Sequence, residues 1–191
     1  MYQIQTTPGI IIDSRPYGEA GKILSIFTRD FGLVQVTAQG IRFEKSKLRY
    51  QAREYSLGDF SLVRGKEYWR LTSAREQSGP RSDNLKFRAR ICLLLRRLIH
   101  GEEPREEVFE VIRNSFGFMD LESGLALEHS STLESLTVAR ILHWLGYIGD
   151  DGEFNDHIRS LDISPDRLDL LKGKQDFLIR HINKALRESQ M

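Results

Sequence analysis

Near residue 80 the hydrophobic pattern of the chain changes period, and this change limits the possible folds more than any other feature. Before it, short runs rich in β-branched and aromatic residues alternate with turn residues. The runs lie around Ile10–Ile12 and in KILSIFT, LVQVTA, DFSLVRG and YWRLTSA. Pro16-Tyr17-Gly18, Asp30-Phe31-Gly32, Gly40, Gly58-Asp59 and Gly65-Lys66 punctuate them. The pattern predicts about five strands, centred near residues 9, 25, 36, 61 and 70. The break at 40–55 is longer than the others and has room for a helix or an extended loop. Five short strands so spaced suit a small closed Greek-key barrel, of which the OB-fold is the commonest design.

Beyond GPRSDN, residues 79–84, which read as a linker, the period becomes helical. Asp83 is placed to cap a helix over about 84–100. Glu103-Pro104 opens another, with Val108, Val111, Ile112 and Phe116 on one stripe. Leu133, Leu136, Ala139 and residues 141–145 mark a third, stopped by Gly146. Ser164-Pro165-Asp166 puts cap, proline and first-turn acid in order for a fourth. Gly173 breaks it before Phe177, Leu178, Ile182 and Leu186. The expected fold class is therefore α+β and multidomain: a five-stranded OB-fold barrel over 1–80, then an all-α bundle of four or five helices over 81–191.

Several functions are disfavoured by what the pattern lacks. The longest apolar run, Ile91–Leu95, ends at Arg96 and Arg97, far short of the roughly 20 residues a membrane span needs. The N-terminus has no charged-then-apolar leader. Cys92 is the only cysteine, which rules out an internal disulfide and a Cys-rich zinc site and makes a reducing cytoplasm the expected compartment. Gly18-x-x-Gly21-Lys22 resembles the end of a phosphate loop, but its glycine gap is too short and Ile23 stands where magnesium needs a hydroxyl. It reads instead as a turn between strands one and two. The five histidines show no zinc-helix spacing, His143 reads as a packed side chain, and no nucleophile motif is present. Asp150, Asp151, Glu153 and Asp156 miss the calcium-loop pattern and read as a solvated loop. A binding protein with no metal, cofactor or catalytic residue is expected, not an enzyme.

Charge is distributed unevenly. Residues 1–80 hold 12 Lys and Arg against 8 Asp and Glu, and the remainder 16 against 19. The excess gathers in AQGIRFEKSKLRYQAR, residues 38–53, where Arg42, Lys45, Lys47, Arg49 and Arg53 face one acid, Glu44. Gly40 allows a tight exit from strand three, so these cations are expected on the barrel rim, within reach of phosphates. Phe43 and Tyr50 are flat faces on which unstacked bases could lie. A second basic run holds Lys86, Arg88, Arg90, Arg96 and Arg97. At helical spacing Lys86, Arg90 and Arg97 come near one face, opposite Ile91, Leu94, Leu95 and Leu98. That face is either simply solvated or a dock for an acidic peptide or further phosphate.

The segment TTPGIIIDSRPYGEAGKILSIFTRDFGLVQVTAQGIRFEKSKLR resembles the N-terminal domain of the bacterial recombination mediator family RecO. The resemblance rests on Gly9-Ile10-Ile11-Ile12, Tyr17-Gly18-Glu19, Lys22-Ile23-Leu24, Phe27-Thr28, Gly32, Gly40, Arg42, Ser46 and Leu48-Arg49. Tyr55-Ser56, Leu62-Val63-Arg64-Gly65 and Leu71-Thr72-Ser73-Ala74 continue it. In the helical half, LESLTVARILHWLGYIGD and FLIRHINKAL are similar to family helices. The resemblance implies an OB-fold followed by a helical domain and no chemical step. It implies binding of single- and double-stranded DNA, strand annealing, and loading of a RecA-type recombinase onto strands coated by the single-stranded DNA-binding protein, SSB. It further implies a RecR-like partner, a dock for the acidic tail of SSB on the helical domain, and a cytoplasmic, nucleoid-associated location.

Many members carry a four-cysteine zinc module after L-G-Y. Here Leu145-Gly146-Tyr147 is followed by Ile148-Gly149-Asp150-Asp151, so a short form without zinc is expected. The usual K-G is Gln39-Gly40, one cation fewer. On this reading Arg15, Lys22, Arg42, Lys45, Lys47, Arg49 and Arg53 contact phosphates, Phe43 and Tyr50 stack, and Arg90, Arg97 and Arg140 receive the SSB tail. The alternative from a different class is a protein-interaction adaptor whose barrel binds another protein, DNA contact being incidental.

Overall fold

The computed structural model describes residues 3–121, 123–149 and 154–188. Its first five elements are the expected strands: β1 Ile4–Tyr17, β2 Gly21–Thr28, β3 Gly32–Ala38, β4 Leu57–Val63 and β5 Trp69–Ser78. The long break after β3 carries a one-turn helix, α1 Leu48–Gln51. β1 pairs antiparallel with both β2 and β4, β2 with β3, and β4 with β5. A short parallel bridge from Val36 and Thr37 to Trp69 and Arg70 closes the ring in the order β1-β2-β3-β5-β4. A register shift between Ile11 and Asp13 lets the 14-residue β1 serve two neighbours.

Strand alternation sends Ile11, Leu24, Ile26, Val34, Val36, Ala38, Phe60, Leu62, Trp69 and Leu71 into the barrel. Ile10 and Ile12 point the other way along β1, yet are also buried. Helix α2, Leu85–Leu98, packs on β1. Its buried Phe87, Ile91, Leu95 and Leu98 follow helical spacing and contribute about 1.5–3 kcal/mol each on burial. Polar links reinforce the contact. Arg88 is fully buried; its Nη1 donates to the Tyr55 carbonyl at 2.9 Å and its Nη2 to Ser78 Oγ. Arg96 pairs with Asp13 at 3.2 Å.

The change of period at residue 80 is therefore not the structural boundary. The chain divides into compact units over Met1–Glu106 and Glu107–Met191, so α2 belongs with the barrel. Segment 79–84 is a short connection ending in the buried Asn84, not a free linker. Asp83 does not cap α2: Asn84 stands at the cap position, while Asp83 pairs with Arg81 at 3.3 Å. After α2 the chain returns to the barrel. Leu33 N donates to the Gly101 carbonyl at 3.0 Å, and Trp69 Nε1 to Glu102 at 3.0 Å.

The second unit holds α3 Glu106–Leu121, α4 Ser123–Trp144, α5 Asn155–Arg159, α6 Pro165–Lys172 and α7 Gln175–Glu188. α3 starts two positions after Pro104. α4 is its centre, contacting α5, α6 and α7, with Leu133, Leu136, Ala139, Ile141 and Leu142 buried. It stops before Gly146, whose N–H donates to the His143 carbonyl at 2.8 Å. Ser164 caps α6 as expected, its Oγ accepting from Arg167 N at 3.4 Å, and Gly173 separates α6 from α7. His143 is half-buried against Trp144, their rings 5.3 Å apart. Asp150, Asp151 and Glu153 lie outside the described residues.

The return segment makes Gly32 a sensitive position. Its φ is +67°, and a Cβ there would lie 2.3 Å from the Glu103 carbonyl oxygen. Gly32→Ala is expected to lower stability by about 1–3 kcal/mol from backbone strain alone, and by more once the clash is added. Urea unfolding followed by far-UV circular dichroism measures this; an unchanged midpoint would show that the 101–103 segment does not pack as described.

Candidate nucleic-acid interface

The loop between β3 and β4 is built as a rim, not a flexible flap. Gly40, at φ +67°, turns the chain out of β3, and Phe43 N–H closes the turn on the Gly40 carbonyl at 3.1 Å. Arg42 N–H bonds the Ala20 carbonyl at 3.0 Å, tying the loop to the β1–β2 turn. Ile41 and Ala52 bury their side chains in the barrel core, with Leu48 packed against it. Gln51 Oε1 accepts from Glu76 N at 3.0 Å. The chain re-enters β4 through Tyr55, whose N–H donates to the Ile11 carbonyl at 2.7 Å.

With Ile41, Leu48 and Ala52 pinned inward, the loop turns its cations out. Lys22, Arg42, Arg49 and Arg53 converge on a cavity of about 490 Å³ at the barrel mouth, floored by Ile41 and Ala52 and bordered by Glu54. A second depression, about 520 Å³, lies between α1 and β5. Lys47, Leu48, Tyr50 and Gln51 line it on one side, and Thr72, Ser73 and Ala74 on the other. Tyr50 and Phe43 are each 63% exposed, far more than packing aromatics would be. Lys45 is exposed on the same loop, and Phe43 lies over Gly40; neither lines either depression.

The electrostatics separate these cations into two kinds. Among the described residues Arg42, Lys45, Lys47 and Arg49 have no carboxylate at ion-pair distance, and Glu44 answers none of them. Lys22 Nζ donates to Ser14 Oγ at 3.3 Å, and that hydroxyl donates to Glu54. Arg53 differs: its Nε and Nη2 grip Glu76 at 2.9 and 2.5 Å. The hydrogen bond to Glu76 raises its pKa against a smaller opposing effect of burial, so the charge is locally answered. Arg53 shares the cavity but, unlike the others, already has a carboxylate on its fork.

In a second cationic feature the sequence reading had Arg15 but missed Arg70, because the two come together only on pairing. Arg15 pairs with Ile23, Ile23 with Thr37, and Thr37 with Arg70, making one cross-strand row on the outer face. Arg15 and Arg70 are exposed and stand three strand spacings apart, about 14 Å. Tyr17, in the same strand as Arg15, meets Tyr68 from the β4–β5 turn edge to face at 6.2 Å. In OB-folds the β2–β3 face and the loops joining strands one to two and four to five commonly receive oligonucleotides. The exposed Tyr17 beside Gly18, and the Gly65-Lys66 turn, were the available signals.

The three arginines expected to receive an acidic peptide are not together. Arg90 and Arg97 are exposed on α2, in the barrel unit, with Lys86 and the 57%-exposed Leu93 on the same helix face. Arg140 is in the other unit and fully buried. Its Nε donates to the His157 carbonyl at 3.0 Å and its Nη2 to the Asp162 carbonyl at 2.8 Å. Burial pushes its pKa down to about 10, with Arg167 adding to the effect. Arg140 cannot meet a docking peptide, because α4 is enclosed on the face that carries it. Arg88 is likewise buried and Arg96 pairs with Asp13, while Lys86, Arg90 and Arg97 are exposed along one face of α2. No group of His, Cys, Asp and Glu among the described residues is arranged to hold a metal ion.

Comparison with known proteins bears on the barrel. Residues 1–77 match the family model described as recombination protein O, N terminal. The chain is similar to the DNA repair protein RecO of Rubrobacter xylanophilus, 35% identical over 130 residues, covering 57% of this chain and 52% of that protein. It is similar to the DNA repair protein RecO of Gloeothece citriformis, 30% identical over 109 residues, covering 54% of this chain and 38% of the relative. The same-named protein of Synechococcus elongatus is 28% identical over 131 residues, covering 65% and 49%. The chain thus spans about half the length of these relatives, or less.

Cations held on a pinned rim without carboxylate partners contribute little to folding. Replacing Lys45, Lys47 and Arg49 together by Ala is expected to leave the urea midpoint unchanged. A clear drop would mean that these side chains support the loop.

Proposed function

We propose that the chain belongs to the RecO family, that it binds DNA through the barrel, and that it acts in recombinational DNA repair. One observation carries the reading: Arg42, Lys45, Lys47 and Arg49 project from a rigid rim with no carboxylate partner among the described residues. Unanswered cations can neutralise phosphates of a polynucleotide, and the counterions condensed on its backbone are then released, which favours binding. Lys22 adds to them at the barrel mouth and Arg15 on the outer face, while Phe43 and Tyr50 offer stacking surfaces worth about 1–3 kcal/mol per base. Arg53 is left out of the contact set because Glu76 already occupies its fork.

Contacts of this kind read backbone and base faces, so the binding is insensitive to sequence. A surface that holds unstacked strands without sequence preference suits annealing of complementary strands and delivery of a recombinase to SSB-coated DNA. No chemical step is required of the protein. Lys86, Arg90 and Arg97 around Leu93 form a cationic face with an apolar centre, which fits the acidic, aromatic tail of SSB. A RecR-like protein remains a proposed partner on family grounds alone.

Binding to a fluorescent single-stranded oligonucleotide is expected to weaken with salt, the logarithmic slope being about −0.7 per phosphate neutralised. The Lys45/Lys47/Arg49→Ala variant is expected to flatten that slope by about 2. An unchanged slope removes the rim from the interface, and no binding even at low salt favours an adaptor whose barrel binds protein. Separately, Arg90→Glu with Arg97→Glu is expected to weaken capture of an SSB-tail peptide at least tenfold without changing the oligonucleotide slope. Equal capture by both proteins would place that contact elsewhere.

A further inference from the structure

Five described side-chain atoms of the second unit are buried with no hydrogen-bond partner; His129 Nδ1 and Trp144 Nε1 are two of them, and Arg140 Nη1, Arg167 Nη1 and His157 Nδ1 are the others. The last three come from three elements that meet around α4: Arg140 from α4, His157 from α5 and Arg167 from the first turn of α6. Short links hold the cluster together. Arg140 binds the carbonyls of His157 and Asp162 at 3.0 and 2.8 Å, fixing its guanidinium plane and leaving Nη1 as the unused end. Arg167 Nη2 lies 4.0 Å from the Asp162 carboxylate, itself largely exposed. Leaving buried polar atoms unmet is costly, the more so for charged groups, and native structures seldom do it without a bound partner.

We propose that the junction of α4, α5 and α6 is a binding site for a small free oxyanion of the phosphate class, held by Arg140 Nη1 and Arg167 Nη1 with His157 Nδ1 as a third donor. The charge balance favours an anion over a lone water. Arg140, Arg167 and Lys174 all act on His157, and of the carboxylates that bear on the cluster, Asp156 and Asp162, both are exposed. The resulting field shows in the two pKa values. Burial lowers that of Arg140, with Arg167 adding to it; burial and then Arg167 lower that of His157. A water could accept two of the N–H bonds but would leave the positive charge unanswered. Guanidinium forks suit phosphate oxygens, and that of Arg140 is already oriented by its two carbonyl bonds. The half-buried His157 and Arg167, a quarter exposed, provide the approach from solvent, whereas the enclosed Arg140 bars a polymer backbone. The site is thus separate from the barrel rim.

The test is a titration of the full chain with inorganic phosphate at constant ionic strength, following the histidine ring proton resonances, with His157 assigned by His157→Gln. In wild type the His157 signal is expected to shift saturably, and its pKa, below 6.5 without phosphate, to rise when phosphate binds. Arg167→Gln is expected to weaken the response at least tenfold. Should that variant fail to fold, Arg167→Lys keeps the charge without the fork and is expected to show weaker but measurable binding. A His157 signal that stays fixed, or that drifts identically in the variant and at the exposed His100, overturns the site. So does a response to an oligonucleotide lacking terminal phosphate in the absence of a response to free phosphate.

Discussion

The barrel depends on β1 bonding along both of its edges. A single strand of 14 residues meets β4 through its first half and β2 through its second, with the register shift at Ile11–Asp13 between them. Without that double use the five strands would form an open sheet with two exposed edges, and the two-residue bridge between β3 and β5 could not hold it closed. Closure also fixes where the connections emerge. The β1–β2 turn lies where Ala20 can accept from Arg42, and the return through Tyr55 and Ser56 bonds to Ile11 beside the shift. The cationic rim therefore inherits its rigidity from the same strand that closes the ring.

Rigidity matters to a surface that binds by charge. Long cationic side chains lose rotamer freedom when they clamp a ligand, and a mobile loop would lose backbone freedom as well. Here Ile41, Leu48 and Ala52 have already ordered the backbone through burial, so only side-chain freedom remains to be lost on binding. The arginine at the end of the loop shows the contrasting use. Arg53 bonds Glu76 on β5 and so closes the loop against the barrel. One basic segment thus combines a structural cation with several that stay available, and only pairing geometry tells them apart.

The same distinction explains what was legible in the sequence. Strands β1 to β5 were readable because alternation and turn residues are local, and α6 because its cap, proline and acid are adjacent. The rim was readable because its cations are consecutive. The unit boundary was not: Arg88, Arg96, Gly101 and Glu102 join the barrel through contacts with Tyr55, Asp13, Leu33 and Trp69, all distant in sequence. The row of Arg15, Ile23, Thr37 and Arg70 needs the crossover that places β5 beside β3, which no local pattern reveals. Arg140 misled because an arginine among apolar helix residues was read as a surface cation, while α4 is enclosed where it carries that side chain.

Buried arginine is thus used twice in different ways. Arg88 reaches a backbone carbonyl and a hydroxyl across the seam between helix and barrel, and its position follows from joining two elements that would otherwise meet only through apolar side chains. Arg140 also reaches two carbonyls, but Arg167 lies close enough to act on its charge, and burial acts to release its proton. A structural arginine gains when its surroundings favour the charged form; here they oppose it. A helix centre that keeps a disfavoured charge, with unpartnered buried polar atoms on two neighbouring elements, has a compensating negative partner as its simplest physical completion.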